Sequence, residues 1–142
     1  LFAHLSPVSS SKFHAMMIAG ALDKAVDSVI SAAATLPSVE LVVFDDWCDS
    51  SGKISKTDLS LVKLLGESIS DDIRLLLISK GSIDASGNRQ GTIFARAETY
   101  FSNLNYQIWT FSRSHEGNRR TLSMGDKPEN LKIVDGGLEL VG

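Results

Sequence analysis

Two short apolar runs constrain the fold of this chain more than any other feature. Residues 39–44 and 73–78 are almost entirely apolar and rich in β-branched or bulky aliphatic side chains. Both runs are too short for ordinary helices, and uninterrupted apolar character is typical of strands buried on both faces of a sheet. A helical pattern separates them, which indicates a right-handed crossover between two parallel strands.

Helical spacing of apolar residues also occurs before the first run and after the second. It predicts one helix over residues 12–36, although Gly20 within it could instead separate a short strand from a later helix start. We favour the single helix because Ala and Met are good helix formers. Residues 92–104 predict a further helix. Ser55 or Thr57 can cap the helix that lies between the two apolar runs.

The C-terminal part of the chain predicts strands joined by short turns. Residues 106–111 and 120–124 are separated by too few residues for a crossover, so we expect them to pair antiparallel. Residues 131–134 and 138–141 predict a closing hairpin, or a strand followed by a tail. The sequence therefore predicts one α/β domain over residues 1–142, with a three-layer, mostly parallel sheet, helices on both faces and a C-terminal antiparallel hairpin.

Composition narrows the classes of function. The 142 residues suit one domain, and the net charge of −3 excludes a broadly basic nucleic-acid-binding protein. The single cysteine excludes an internal disulfide framework and predicts an intracellular, reducing compartment. No apolar run approaches the roughly 20 residues that span a bilayer, so we expect no membrane partner.

Polar side chains follow three of the predicted strands, at residues 39–44, 73–78 and 106–111. Ligands bind beyond the carboxyl ends of strands in open α/β sheets, so these side chains form a candidate site if the strands are adjacent. We expect catalytic roles for four of them and substrate-binding roles for three, with no metal-ligand spacing. The catalytic candidates are Asp45, Asp46, Lys80 and Glu116, and the substrate-binding candidates are Ser79, Ser112 and Arg113.

Three segments resemble the C-terminal half of Rossmann-like RNA 2′-O-methyltransferases. They are Leu41-Val42-Val43-Phe44-Asp45-Asp46, Leu76-Leu77-Ile78-Ser79-Lys80 and Ser112-Arg113-Ser114-His115-Glu116. The resemblance implies that Lys80 acts on the ribose 2′-hydroxyl, with Glu116 and either Asp45 or Asp46 as supporting carboxylates. It also implies RNA as a partner and S-adenosylmethionine as the cofactor.

The chain departs from that family where the cofactor would bind. No G-x-G-x-G motif occurs, and the resemblance covers roughly residues 21–124. The chain also begins at Leu1 rather than at Met. Three expectations stay open: a fragment of a larger protein, a half that a partner chain completes, or a relative that is not catalytic.

A second resemblance is to STAS regulatory domains, which are non-enzymatic interaction modules. Gly20-Ala21-Leu22-Asp23 and the later Asp49-Ser50-Ser51-Gly52 are similar to two motifs of that family. The resemblance implies that Ser50 or Ser51 is phosphorylated near a helix N-terminus, where negative charge is stabilised. The partner would then be a protein.

The C-terminal third is locally basic, a feature that does not depend on either resemblance. The basic residues are Arg113, Arg119, Arg120, Lys127 and Lys132. Trp109 and Phe111 alternate with polar residues on one strand, and Arg113 follows them. Arginine can pair with phosphate and aromatic rings can stack on bases, so contact with RNA is one interpretation. The other is a solvated β-hairpin.

Overall fold

The computed structural model describes residues 6, 11–83, 93–113, 117–125 and 127–141. Three helices and eight strands form within these residues. The helices are α1 (Leu22–Thr35), α2 (Lys56–Ser68) and α3 (Glu98–Asn103). The strands are β1 (Leu41–Asp45), β2 (Arg74–Ile78), β3 (Ser82–Ile83), β4 (Ile93–Phe94), β5 (Trp109–Arg113), β6 (Arg119–Met124), β7 (Lys127–Val134) and β8 (Gly137–Leu140).

Three separate sheets form from these strands. The pair β1 and β2 is parallel, as the two apolar runs predict. The pair β3 and β4 is a short antiparallel sheet. Strands β5 to β8 form an antiparallel meander, which confirms the predicted antiparallel pairing of the third and fourth strands and the closing hairpin.

The core lies between the parallel pair and the helices α1 and α2. Val26 and Val29 of α1 meet Leu65 of α2 above one face of the strands. Trp47, Val62 and Phe101 form the second buried cluster beside it. Trp47 and Phe101 pack edge to face, with ring centroids 5.4 Å apart. The helical periodicity of the sequence therefore marks the core residues of α1 and α2 correctly.

The prediction of a three-layer, mostly parallel sheet is wrong. Within the described residues only β1 and β2 are parallel, and α1 and α2 both pack against the same face of that pair. The side chains of the opposite face are 39–53% exposed. These are Leu41, Val43, Leu76 and Ile78. An apolar run shows that a strand suits burial on both faces, but it does not supply the second layer.

Two predicted helices are shorter than the sequence pattern indicates. The first begins at Leu22, because Gly20 adopts a φ of +139° that interrupts the helical backbone, and residues 13–19 form neither helix nor strand. The last begins at Glu98, because Ala97 adopts a left-handed conformation with a φ of 54°. The helix α2 matches its prediction, and the Ser55 hydroxyl caps it by accepting the Asp58 N–H at 3.0 Å.

Candidate functional site at the carboxyl edge of the parallel strands

The register of β1 and β2 brings their carboxyl ends to one edge. Asp45 lies opposite Ile78, so both strands end at the same level. The Trp47 N–H then donates to the Ile78 carbonyl at 3.4 Å, which holds the segment after β1 against the end of β2. The residues that follow the two strands are therefore neighbours, as the sequence predicts for adjacent parallel strands.

Four of the predicted site residues lie at this edge. Asp45 ends β1, and Asp46 follows it with a φ of 53°. Aspartate tolerates this left-handed conformation better than most residues, so it suits the sharp exit from the strand. Ser79 and Lys80 follow β2 directly. Asp45, Asp46 and Lys80 are exposed to solvent, whereas Ser79 is half-buried.

Two of the other predicted residues are not paired to this edge. Ser112 and Arg113 belong to β5, which pairs with β6 in the meander rather than with β2. Ser112 lies opposite Thr121 in that pairing. Strand pairing therefore does not bring the third strand to the carboxyl edge of β1 and β2. Glu116 lies outside the described residues.

Arg96 joins this edge although the sequence analysis did not select it. Its guanidinium donates to the Gly52 carbonyl at 2.6 Å and to the Ser51 carbonyl at 3.4 Å, in the loop that follows β1. It also donates to the Ser82 hydroxyl at 3.2 Å, just beyond the end of β2. One half-buried arginine thus links the two segments that leave the parallel strands.

The charge of Arg96 has no acidic counterpart in the described part of the chain. The ion pair formed there joins Lys63 and Glu67 of α2, away from this edge. The Nε atom of Arg96 is also buried without a hydrogen-bond partner. The guanidinium makes three hydrogen bonds to protein oxygens, but its positive charge is not compensated by a carboxylate, and this charge attracts an anion to the edge.

Cys48 lies within the same cluster and is not an activated thiol. Burial raises its pKa above the ordinary value, and the nearby Asp46 carboxylate raises it further. Hydrogen bonds from Arg96 and Ser79 oppose this effect without reversing it. Cys48 is therefore a thiol at neutral pH. Since only the thiolate is a good nucleophile, Cys48 is not activated for nucleophilic chemistry. Burial is the largest cause of the upward direction.

An open cleft of about 710 Å³ adjoins Arg96. It lies between the loop at residues 52–54 and the start of α3, and Lys53, Glu98 and Tyr100 line it together with Arg96. The cleft and the edge therefore share one residue, Arg96. Among the described residues no three His, Cys, Asp or Glu side chains are grouped so that they could hold a metal ion.

The helical periodicity of the sequence did not indicate Arg96 as a site residue. The prediction of a helix over 92–104 placed Arg96 inside that helix, between Ala95 and Ala97. The left-handed conformation of Ala97 ends the preceding loop and delays the helix, so Arg96 stays on the loop and reaches back to Gly52. No local sequence signal marks a left-handed alanine, because alanine rarely adopts that conformation.

Comparisons with known proteins add no assignment to this geometry. No protein-family model, curated protein or solved structure matches the chain. None of the helices formed by the described residues has the length and apolar character that a membrane crossing requires. The site itself is therefore the basis for a functional proposal.

Proposed function

We propose that this chain is an RNA-binding domain of methyltransferase type that holds a ribose phosphate at the carboxyl edge of β1 and β2. The observation that carries the proposal is Arg96, a half-buried guanidinium without a carboxylate partner in the described residues, held beside the ends of both strands. Lys80 adds a second cation at the same edge. Two cations beside free carboxylates suit a ligand that carries both phosphate and hydroxyl groups.

Each group of the edge has a separate part in this proposal. Arg96 and Lys80 pair with phosphate oxygens. The Asp46 carboxylate accepts a hydrogen bond from a ribose hydroxyl, which is how acidic residues bind ribose in other α/β proteins. The resemblance to RNA 2′-O-methyltransferases supports the same two residues, since it aligns Lys80 and either Asp45 or Asp46 with catalytic positions of that family.

The residues at this edge do not fit S-adenosylmethionine. A cofactor of that kind requires a glycine-rich loop after a strand, and the segments 46–55 and 79–81 contain one glycine each, Gly52 and Gly81. Gly81 has a packing role, because a Cβ on it would lie 2.5 Å from the Ile93 side chain of β4. We therefore propose RNA binding without methyl transfer by this chain alone.

The experiment compares RNA with DNA of identical sequence. Fluorescence anisotropy of labelled ten-nucleotide single strands measures both affinities for the full chain. Because the 2′-hydroxyl is the group that distinguishes the two ligands, we expect tighter binding to RNA, and Asp46→Asn should reduce that preference. Lys80→Ala should weaken binding by a factor of about 5 or more. Lys24→Ala is the matched control, since Lys24 is an exposed lysine on α1.

Two results would overturn the proposal. The first is equal affinity for RNA and DNA in both the natural protein and Asp46→Asn. The second is the same affinity in Lys80→Ala and Lys24→Ala. Arg96→Lys tests the guanidinium while retaining a positive charge, and circular dichroism checks that it folds. Incubation with tritiated S-adenosylmethionine and RNA should give no labelled product, and transfer by this chain alone would contradict that part of the proposal.

The STAS-like interpretation is the second candidate, and one observation favours it. Arg96 donates to the carbonyl oxygens of Ser51 and Gly52, within the Asp-Ser-Ser-Gly motif, and Ser51 itself is exposed. A phosphate on Ser51 would lie near that guanidinium rather than on the N-terminus of α2, where Ser55 is the cap. Phosphorylation of Ser51 by a partner kinase, abolished in Ser51→Ala and detected by mass spectrometry, would support this alternative.

A further inference from the structure

The two faces of the β5–β8 meander differ sharply in character. Side chains directly opposite each other in an antiparallel pairing share a face, so the register assigns every strand residue to one side. One face is polar, with residues such as Thr110, Ser112, Thr121 and Ser123. The other carries most of the apolar side chains. These are Trp109, Phe111, Leu122, Met124, Leu131, Ile133, Leu138 and Leu140.

This apolar face is largely open. Leu131 is its buried residue, at 8% exposure, whereas Trp109 and Phe111 are 50% and 51% exposed. A one-sided antiparallel sheet ordinarily turns its apolar face to a core and its polar face to water. Contiguous exposed apolar surface of this kind marks an interaction site.

The spacing of the two aromatic residues suits a nucleobase. Trp109 and Phe111 are two residues apart on β5, so their side chains leave the same face about 6.8 Å apart along the strand. The rise between stacked bases is about 3.4 Å. A gap of twice that rise accommodates one base that stacks on a ring at each side.

The charges next to these rings favour a polyanion. Arg113 follows Phe111 on the same face of β5, and it lies directly opposite Arg120 of β6. Like charges at directly opposite positions destabilise a sheet. Within residues 93–113, 117–125 and 127–141 neither arginine forms an ion pair. The net charge of the whole chain is −3, so this is a local concentration of positive charge.

We infer that this face of β5 and β6 binds single-stranded RNA, with a base between Trp109 and Phe111 and the adjacent phosphates on Arg113 and Arg120. We call these four residues the stacking platform. The inference rests on the proposed function for the identity of the ligand, but it uses a separate sheet and separate residues. Base stacking on aromatic side chains combined with cationic groups is the usual physical basis of single-strand binding.

Charge also favours RNA over a second copy of this chain. Among the described strand residues of this face, Glu129 is the one carboxylate, against Arg113, Arg120 and Lys127. Two copies stacked by this face would therefore bring together two positively charged surfaces. RNA instead neutralises them.

Tryptophan fluorescence tests the platform directly. The chain has two tryptophans, of which Trp47 is 6% exposed and Trp109 is half exposed. Titration of the full chain with ten-nucleotide oligouridylate should quench the fluorescence of Trp109, and Trp109→Phe should remove this signal while binding measured by anisotropy persists. Trp109→Ala and Phe111→Ala should each weaken binding by a factor of roughly 5 to 150. Arg113→Ala should reduce the dependence of log K on log salt concentration by about 0.7.

The matched control is Leu140→Ala, because Leu140 is exposed on the same face of the same sheet but has neither a ring nor a charge. We expect its affinity for RNA to be unchanged. Equal losses for Leu140→Ala and Trp109→Ala would overturn the inference, as would a dimer in sedimentation experiments that both substitutions dissociate. Loss of RNA binding in Lys80→Ala with full binding in Trp109→Ala would overturn the stacking platform and leave the proposed site at the carboxyl edge standing. Full binding in Lys80→Ala with loss of binding in Trp109→Ala would overturn the site at the carboxyl edge and leave the stacking platform standing.

Discussion

The parallel pair and the antiparallel meander use similar apolar side chains with different results. In the parallel pair, one face is covered by α1 and α2, and Val26, Val62 and Leu65 are completely buried there. In the meander, Leu131 is the buried residue of the apolar face. The difference shows that apolar character in a strand becomes stability only where a second layer covers it.

The largest expected effect comes from removing side chains from the two regions. Leu65→Ala should lower the free energy of unfolding by about 2 to 5 kcal/mol, because Leu65 is 0% exposed and its removal leaves a cavity. Leu140→Ala should change it by less than about 0.5 kcal/mol, because Leu140 is 71% exposed. Urea denaturation of both variants measures the difference. Equal losses would mean that the meander face is covered in the isolated protein.

A smaller effect tests how tightly the parallel region is packed. Gly66 is inside α2, where alanine is ordinarily favoured by about 1 kcal/mol. A Cβ at this position would overlap the Tyr106 hydroxyl. Gly66→Ala should therefore destabilise the protein, since overpacking costs about 1 to 3 kcal/mol.

The effect of Gly66→Ala on stability should change sign when the Tyr106 hydroxyl is removed. In a Tyr106→Phe background, Gly66→Ala should stabilise the protein, because the helix propensity of alanine remains and the overlap is gone. Thermal denaturation of the four members of this cycle measures the coupling between the two positions. If Gly66→Ala destabilises both backgrounds equally, Tyr106 does not limit the space beside α2.

The smallest expected effect concerns pH and the carboxyl edge. Burial raises the pKa of Cys48 above its ordinary value of 9.0, so the folded protein holds the thiol proton more tightly than the unfolded chain does. The resulting stabilisation is complete below pH 9 and is lost as pH rises through the raised pKa. The difference in unfolding free energy between the natural protein and Cys48→Ala should therefore narrow from pH 8 to pH 11.

Tyr106 also titrates in the alkaline range, because burial raises its pKa above 10.0. For this reason the pH dependence of the Cys48→Ala stability difference should also be measured in the Tyr106→Phe background, where Tyr106 no longer titrates and Cys48 still does. A pH-independent difference between the Cys48 variants would contradict the assignment of a buried thiol at this edge.

Part of the candidate site follows from the sequence and part does not. Asp46, Ser79 and Lys80 lie together because each follows a short apolar strand and the two strands are parallel neighbours, which the sequence pattern indicates. Arg96 does not follow from any pattern, since it reaches the edge through the left-handed backbone of Ala97. Ser112 and Arg113 were placed at this edge by analogy with the first two strands, and the pairing of β5 with β6 places them in another sheet.

The sequence by itself determined several local elements of this protein. Local sequence patterns located α2, β1, β2 and the C-terminal hairpin, because each depends on residues close together in the chain. Only the tertiary structure decided how many layers cover each sheet, and that β5 does not join the parallel pair. Those outcomes depend on contacts between distant residues, such as Leu65 with Val26 of α1, and on single backbone conformations at Gly20 and Ala97. Apolar strands are necessary for a buried sheet, but a covering layer is what buries them.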